Sequence, residues 1–154
     1  MKRALVLGIM IVAVSMTVFA QEKTKKGSKT KSKAPAAPPS VTVNPGTIDF
    51  KDQAAKQPSK PQRITVTNTG GKKLYINSAV VEGDNKDSFL ISYDTCTGST
   101  IKANKSCFID VFFAPAATDW HKADLAIKDN ASDSPQKVSL SGNGINSADV
   151  PPRQ

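Results

Sequence analysis

The chain has 154 residues, 38% of them hydrophobic, with two cysteines, one histidine and one tryptophan, which leaves room for one domain with a sizeable core and little for metal or redox chemistry. Its formal net charge of +8 divides unevenly: residues 21–40 hold six lysines against Glu22, whereas from Val41 onward thirteen Lys or Arg face twelve Asp or Glu. The basic character therefore belongs to the N-terminal segment, and no basic face of the kind that binds nucleic acid is expected on the folded part.

The first element is "MKRALVLGIMIVAVSMTVFAQEK": a positive start at Lys2 and Arg3, an apolar run from Ala4 to Phe19, and Val18 and Ala20 at the minus-three and minus-one positions before Gln21. This pattern predicts a secretory signal peptide over residues 1–20, cleaved after Ala20. The alternative is an uncleaved N-terminal anchor, since the run approaches the roughly 20 residues a spanning helix needs. Either reading places the rest of the chain outside the cytoplasm, secreted or periplasmic.

Residues 21–40, "QEKTKKGSKTKSKAPAAPPS", lack large apolar side chains and are predicted to be a disordered Lys/Pro-rich tether. Lys23, Lys25, Lys26, Lys29, Lys31 and Lys33 are candidate contacts for an anionic envelope polymer or membrane surface, about 1 kcal/mol for each lysine near such a surface. The plainer reading is a soluble spacer.

From Val41 the pattern changes to short period-two runs broken by turn residues. "SVTVNPGTIDF" alternates Val41 and Val43, turns at Pro45–Gly46 and resumes with Ile48 and Phe50. "QRITVTNTGG" places Ile64 and Val66 on one face, "KKLYINSAVVEG" Leu74 and Ile76, and "DSFLISYDTC" Phe89 and Ile91. "SCFIDVFFAP" sets Cys107, Ile109, Val111 and Phe113 on one face and Phe108, Asp110 and Phe112 on the other. "WHKADLAIKDN" and "SPQKVSLSGNG" supply Ala123, Leu125, Ile127, Val138 and Leu140. Such runs predict an all-β, immunoglobulin-like two-sheet antiparallel sandwich of seven or eight strands over residues 41–146, followed by a flexible tail over 147–154.

Cys96 and Cys107 bracket the loop "TGSTIKANKS". In an exported domain two thiols favour a disulfide, which would pin the loop with Ile101 tucked beneath it. A redox C-x-x-C spacing is absent, and a zinc site finds His121 as its one further soft candidate. No metal and no cofactor are expected.

The segments "VTNTGGKKLYI", "ANKSC", "VFFAP" and "DNASDSPQKVSLSGNG" resemble the Ig-like domain of the abnormal spindle and Hydin (ASH) group, related to major sperm protein and PapD-like folds and including bacterial choice-of-anchor D proteins. The resemblance runs from Val41 to Gly144. It implies a non-catalytic scaffold for binding or spacing, transfers no catalytic residues, and is consistent with the disulfide. The chain departs from the pattern at Asp119, Trp120 and His121, where relatives usually show a glycine, and it carries one copy of a domain often found in tandem.

Asp119, His121 and Asp124 lie close in sequence, but no nucleophile motif accompanies them, so an enzyme is not expected. A lone histidine at a strand start reads as a solvated surface residue. Trp120, Phe108 and Phe112 are the candidate partner contacts, with a cap over the core as the plainer reading of Trp120. The expected function is a secreted or periplasmic module for protein–protein interaction or envelope scaffolding. The alternatives are a periplasmic chaperone or assembly subunit, and a polyanion- or carbohydrate-binding envelope protein.

Overall fold

A computed structural model describes residues 35–149. The expected signal peptide, the six tether lysines and the end of the C-terminal tail lie outside the described residues. Nine strands form: β1 (Val41–Asn44), β2 (Thr47–Ala54), β3 (Gln62–Asn68), β4 (Leu74–Glu82), β5 (Phe89–Asp94), β6 (Thr100–Ile101), β7 (Ser106–Phe113), β8 (Trp120–Asp129) and β9 (Gln136–Ile145). Single 3₁₀ turns occupy Lys86–Ser88 and Ser147–Asp149. Among the described residues no helix is long and apolar enough to cross a membrane.

The strands divide into a four-stranded sheet ordered β1-β3-β7-β5 and a five-stranded sheet ordered β2-β9-β8-β4-β6. The predicted sandwich is present, with two differences in detail. The Pro45–Gly46 turn, entered through a cis Asn44–Pro45 bond, does not fold β2 back on β1. It carries the chain across to the other sheet, where β2 runs parallel to β9. The ninth strand is the two-residue β6, too short to show a period in sequence, which pairs with β4 through Leu74 and Ile101.

Each inner face is made by the alternation read from the sequence: Ile64, Val66, Ile109, Val111 and Phe113 from one sheet meet Leu74, Ile76, Leu125, Ile127, Val138 and Leu140 from the other, all buried. In β4 the alternation shifts at a bulge between Ile76 and Ser78, so that Ala79 and Val81 rather than Val80 pack inward. The lower end of the core, where β7 passes into β8, is aromatic. Phe89 and Phe113 stack at 4.9 Å between centroids, and Phe50 lies 5.9 Å from each. Gly142 is required here, since a Cβ would stand 2.6 Å from the Phe113 ring.

The upper end, where β3 turns into β4 and β6 leads to β7, is tied by polar and covalent links. Cys96 and Cys107 form a disulfide with Cα atoms 5.2 Å apart. The loop it closes leaves the four-stranded sheet, lends β6 to the five-stranded sheet and returns, with Ile101 buried beneath it. Closing a loop of this length contributes on the order of 3 kcal/mol in the chain-entropy account.

Asn68 is fully buried beside the disulfide loop. Its Nδ2 donates to the carbonyls of Lys72 at 2.8 Å and Ile101 at 3.0 Å, and its Oδ1 accepts from Gly70 N–H at 3.0 Å. Its main chain meets Lys105 and Asn104 at 3.0 and 2.8 Å. One amide side chain thus satisfies groups of two loops that would otherwise be buried unpaired. Ala37 and Ser40, within the expected tether, accept hydrogen bonds from Gly71, Lys72 and Thr69, seating the incoming chain on the same end.

Candidate functional site

The sequence-predicted contact residues are not brought together. Phe108 and Phe112 lie on the outer face of the four-stranded sheet, while Trp120 begins β8 in the five-stranded sheet. Trp120 is 58% exposed and does not cap the core. The cap is His121, whose parity matches Ala123 and Leu125 and which is therefore turned inward rather than solvated. It is 7% exposed, its ring sits edge-on to Phe113 at 5.5 Å, and its Nδ1 is hydrogen-bonded to Ser88 Oγ at 2.9 Å. Asp119 and Asp124 turn elsewhere: Asp119 accepts from Trp120 N–H at 2.7 Å and Asp124 from the Ser139 hydroxyl at 3.1 Å. Among the described residues the histidine's hydrogen-bond partners are Ser88 and the Ala117 carbonyl, and neither aspartate. Among the described residues no three His, Cys, Asp or Glu side chains gather as metal ligands.

A different cluster builds around Phe108. β7 is flanked by β3 and β5, so its outward residues Phe108, Asp110 and Phe112 have neighbours on both sides. Arg63 of β3 stands opposite Asp110 and closes a two-bond fork on it, Nε to Oδ1 and Nη2 to Oδ2, each at 2.8 Å. Its guanidinium carbon lies 5.3 Å from the centre of the Phe108 ring and 5.9 Å from that of Tyr93. Cation–π attraction and the fork hold the guanidinium flat on the sheet. The hydrogen bond from Arg63 is the main cause that lowers the Asp110 carboxyl below its usual range, and the same bond raises Arg63. The pair is ionised and mutually neutralised across the neutral range.

Tyr93 reaches this face through a bulge. Leu90 pairs with Phe112 and Ile91 with Val111, and the register then shifts so that Tyr93, not Ser92, stands opposite Asp110. The extra residue re-aims one side chain outward, and Tyr93 is 52% exposed. Thr95 braces the strands toward the upper end, its hydroxyl accepting from Phe108 N–H at 2.9 Å. The result is a band of Tyr93, Phe108, Leu90 and Phe112 around a charge-neutral Arg63–Asp110 pair. β5 forms one margin of this sheet, hydrogen-bonded only to β7 among the described strands.

Phe108 and Phe112 were legible as an outward stripe, whereas Arg63, Tyr93 and Leu90 were not singled out. The period-two rule did mark Arg63 as outward in "QRITV", but its partner lies 47 positions away.

No protein-family model matches the sequence, and no curated protein matches it significantly. Solved structures do. A protein of unknown function from Porphyromonas gingivalis superposes with a TM-score of 0.57 at 14% identity over 75% of this chain, which spans about half (51%) of that one. The ASH/PapD-like domain 7 of human CEP192 gives 0.53 at 15% identity over 90% of this chain and 99% of that one. The periplasmic chaperone SfaE gives 0.52 at 16% identity over 73% and 61%. At such identities the likeness establishes the fold: this chain is built as an ASH/PapD-like immunoglobulin sandwich.

Proposed function

We propose that this chain is a non-catalytic interaction module, exported to an oxidising compartment, that engages a protein partner through the outer face of its four-stranded sheet. The observation that carries the reading is the Arg63–Asp110 pair bracketed by Phe108 and Tyr93. Aromatic and arginine side chains dominate the energetic centres of protein interfaces. Here the arginine is already paired and held in place, so less side-chain ordering remains for binding to overcome. The buried disulfide and the expected signal peptide support export, and likeness to a periplasmic chaperone is consistent with it. Trp120 stands apart from this face and is not needed for the contact.

A second reading, a chaperone or assembly subunit, draws on the open margin of β5, where a partner's strand would extend the sheet by main-chain pairing. Crosslinked capture from envelope extract separates interface from spacer. Phe108→Glu should lose the captured partner by at least about 2 kcal/mol of affinity, whereas Ser141→Glu on the opposite outer face should keep it. Equal capture by both variants, each with unchanged melting, rules out the Phe108 face.

A further inference from the structure

The folded domain is neutral in sum but not in distribution. Four of its lysines, Lys72, Lys73, Lys102 and Lys105, come from two loops far apart in sequence and meet at the upper end. Lys72 and Lys105 both give their carbonyls to Asn68, the Lys102 carbonyl accepts from Lys105 N–H at 3.1 Å, and that of Lys73 accepts from Asn130 Nδ2 at 3.4 Å. All four side chains are exposed, and none forms an ion pair among the described residues. The carboxylates near them are few. Asp133 stands exposed in the β8–β9 turn, Asp129 at the end of β8 is buried and accepts from Ala131 N–H at 2.7 Å, and Asp94 turns its Oδ1 onto the N–H groups of Cys96 and Thr97 at 2.6 and 3.0 Å. At the lower end, by contrast, Asp84, Asp87 and Asp119 are interspersed with Lys86 and Lys122.

Residues 37–40 run along this lysine-rich end, with Ala37 and Ser40 hydrogen-bonded to its first loop. The lysine-rich sequence from Lys23 to Lys33 precedes this segment in the chain. Tyr75, 47% exposed, lines a shallow depression with Lys72, Lys73, Ala36 and Pro39. A tyrosine beside lysines, with an apolar ring and a wet hydroxyl, suits the boundary between lipid and water.

We infer that the upper end of the sandwich is a docking surface for an anionic phospholipid bilayer, continuing onto the domain the positive charge of the segment that precedes it. Lys72 and Lys73 edge one shallow depression and Lys102 and Lys105 another, and such separated charges beside the Tyr75 ring fit a plane of phosphate headgroups. Docked this way, the domain stands on its Asn68 end, and the lower end with Trp120 faces away from the lipid.

The test uses co-sedimentation with phosphatidylcholine vesicles with and without phosphatidylglycerol, at low and high salt. Two proteins are compared: Gln21–Gln154, and Ala34–Gln154, which retains the whole core but lacks the six preceding lysines. Both should bind only the anionic vesicles, and salt should release them. The combined change Lys72→Gln, Lys73→Gln, Lys102→Gln and Lys105→Gln should weaken partition by at least about tenfold, since each lysine near the surface is worth about fivefold. In the bound protein Trp120, the chain's single tryptophan, should stay open to an aqueous quencher. Failure of Ala34–Gln154 to bind, indifference to the four changes, or shielding of Trp120 would overturn the assignment. So would binding to soluble polyphosphate without binding to vesicles.

Discussion

The two ends of the sandwich are held by different physics. The lower end relies on packing: Phe50, Phe89 and Phe113 fill it, His121 closes it, and Gly142 leaves room for a ring. The upper end relies on links between loops, the Cys96–Cys107 bridge and the hydrogen bonds of Asn68. An aromatic cluster needs opposing layers of large side chains, and the upper loops, with their Gly70–Gly71 turn and lysines, supply few. Where hydrocarbon is scarce, a covalent link and a fully satisfied amide take its place, and the same scarcity leaves that end free to carry charge.

Removing one support from each end tests the contrast. Phe113→Ala should have the largest effect, about 4 kcal/mol, because a fully buried ring is lost and a cavity is left between Phe89 and Phe50; urea unfolding measures it. Joint replacement Cys96→Ala and Cys107→Ala should cost about 3 kcal/mol. Hydrogen exchange should then show lost protection over residues 95–105 with Phe89 and Phe113 to His121 little changed. Loosening that spreads evenly to the aromatic end would dissolve the distinction.

The smallest effect lies on the outer face. Because Arg63 holds the Asp110 carboxyl below its usual value, the pair's contribution is complete above the unfolded carboxyl value of about 3.9 and fades as pH falls through the lower folded value. Asp110→Asn should remove that part of the acid dependence and lower stability at neutral pH only slightly, since Arg63 is 56% exposed and screened by solvent although Asp110 itself is only 15% exposed. Acid titration of the melting temperature in both proteins reads it. An Asp110→Asn protein with the parent's full acid profile would show that the fork does not contribute.

Much of the sandwich was legible because a half-buried strand writes its inner face at every second residue. Cys107 to Phe113 and Ala123 to Ile127 read inward in sequence and are inward in the fold. The same rule, carried back two positions from Ala123, places His121 inside, so the expectation of a solvated histidine and a capping tryptophan set a general tendency of residue type against a local parity signal, and parity prevailed. Bulges defeat the rule, since one extra residue reverses every face beyond it. Strict alternation continued from Phe89 and Ile91 through "DSFLISYD" points Tyr93 inward, and the shift at Ser92 turns it out.

The two long-range features had no local signature. Arg63 meets Asp110 only because β3 and β7 are neighbours, and the four upper lysines converge only because the β3–β4 and β6–β7 loops share Asn68. A charge sum over the domain concealed that convergence, because it records amounts and not places.

The two-residue β6 gives the bridge a role beyond tethering. The strand is held between two sheets: its flanks are anchored to β5 and β7 by the cystine, while its own pairing screens the rim of β4 at Leu74 and Tyr75. A reduced chain could let this screen swing away and bare the β4 rim to other copies. Reduction is therefore expected to favour association of copies along the β4 rim, at the point where the outermost strand is too short to guard itself.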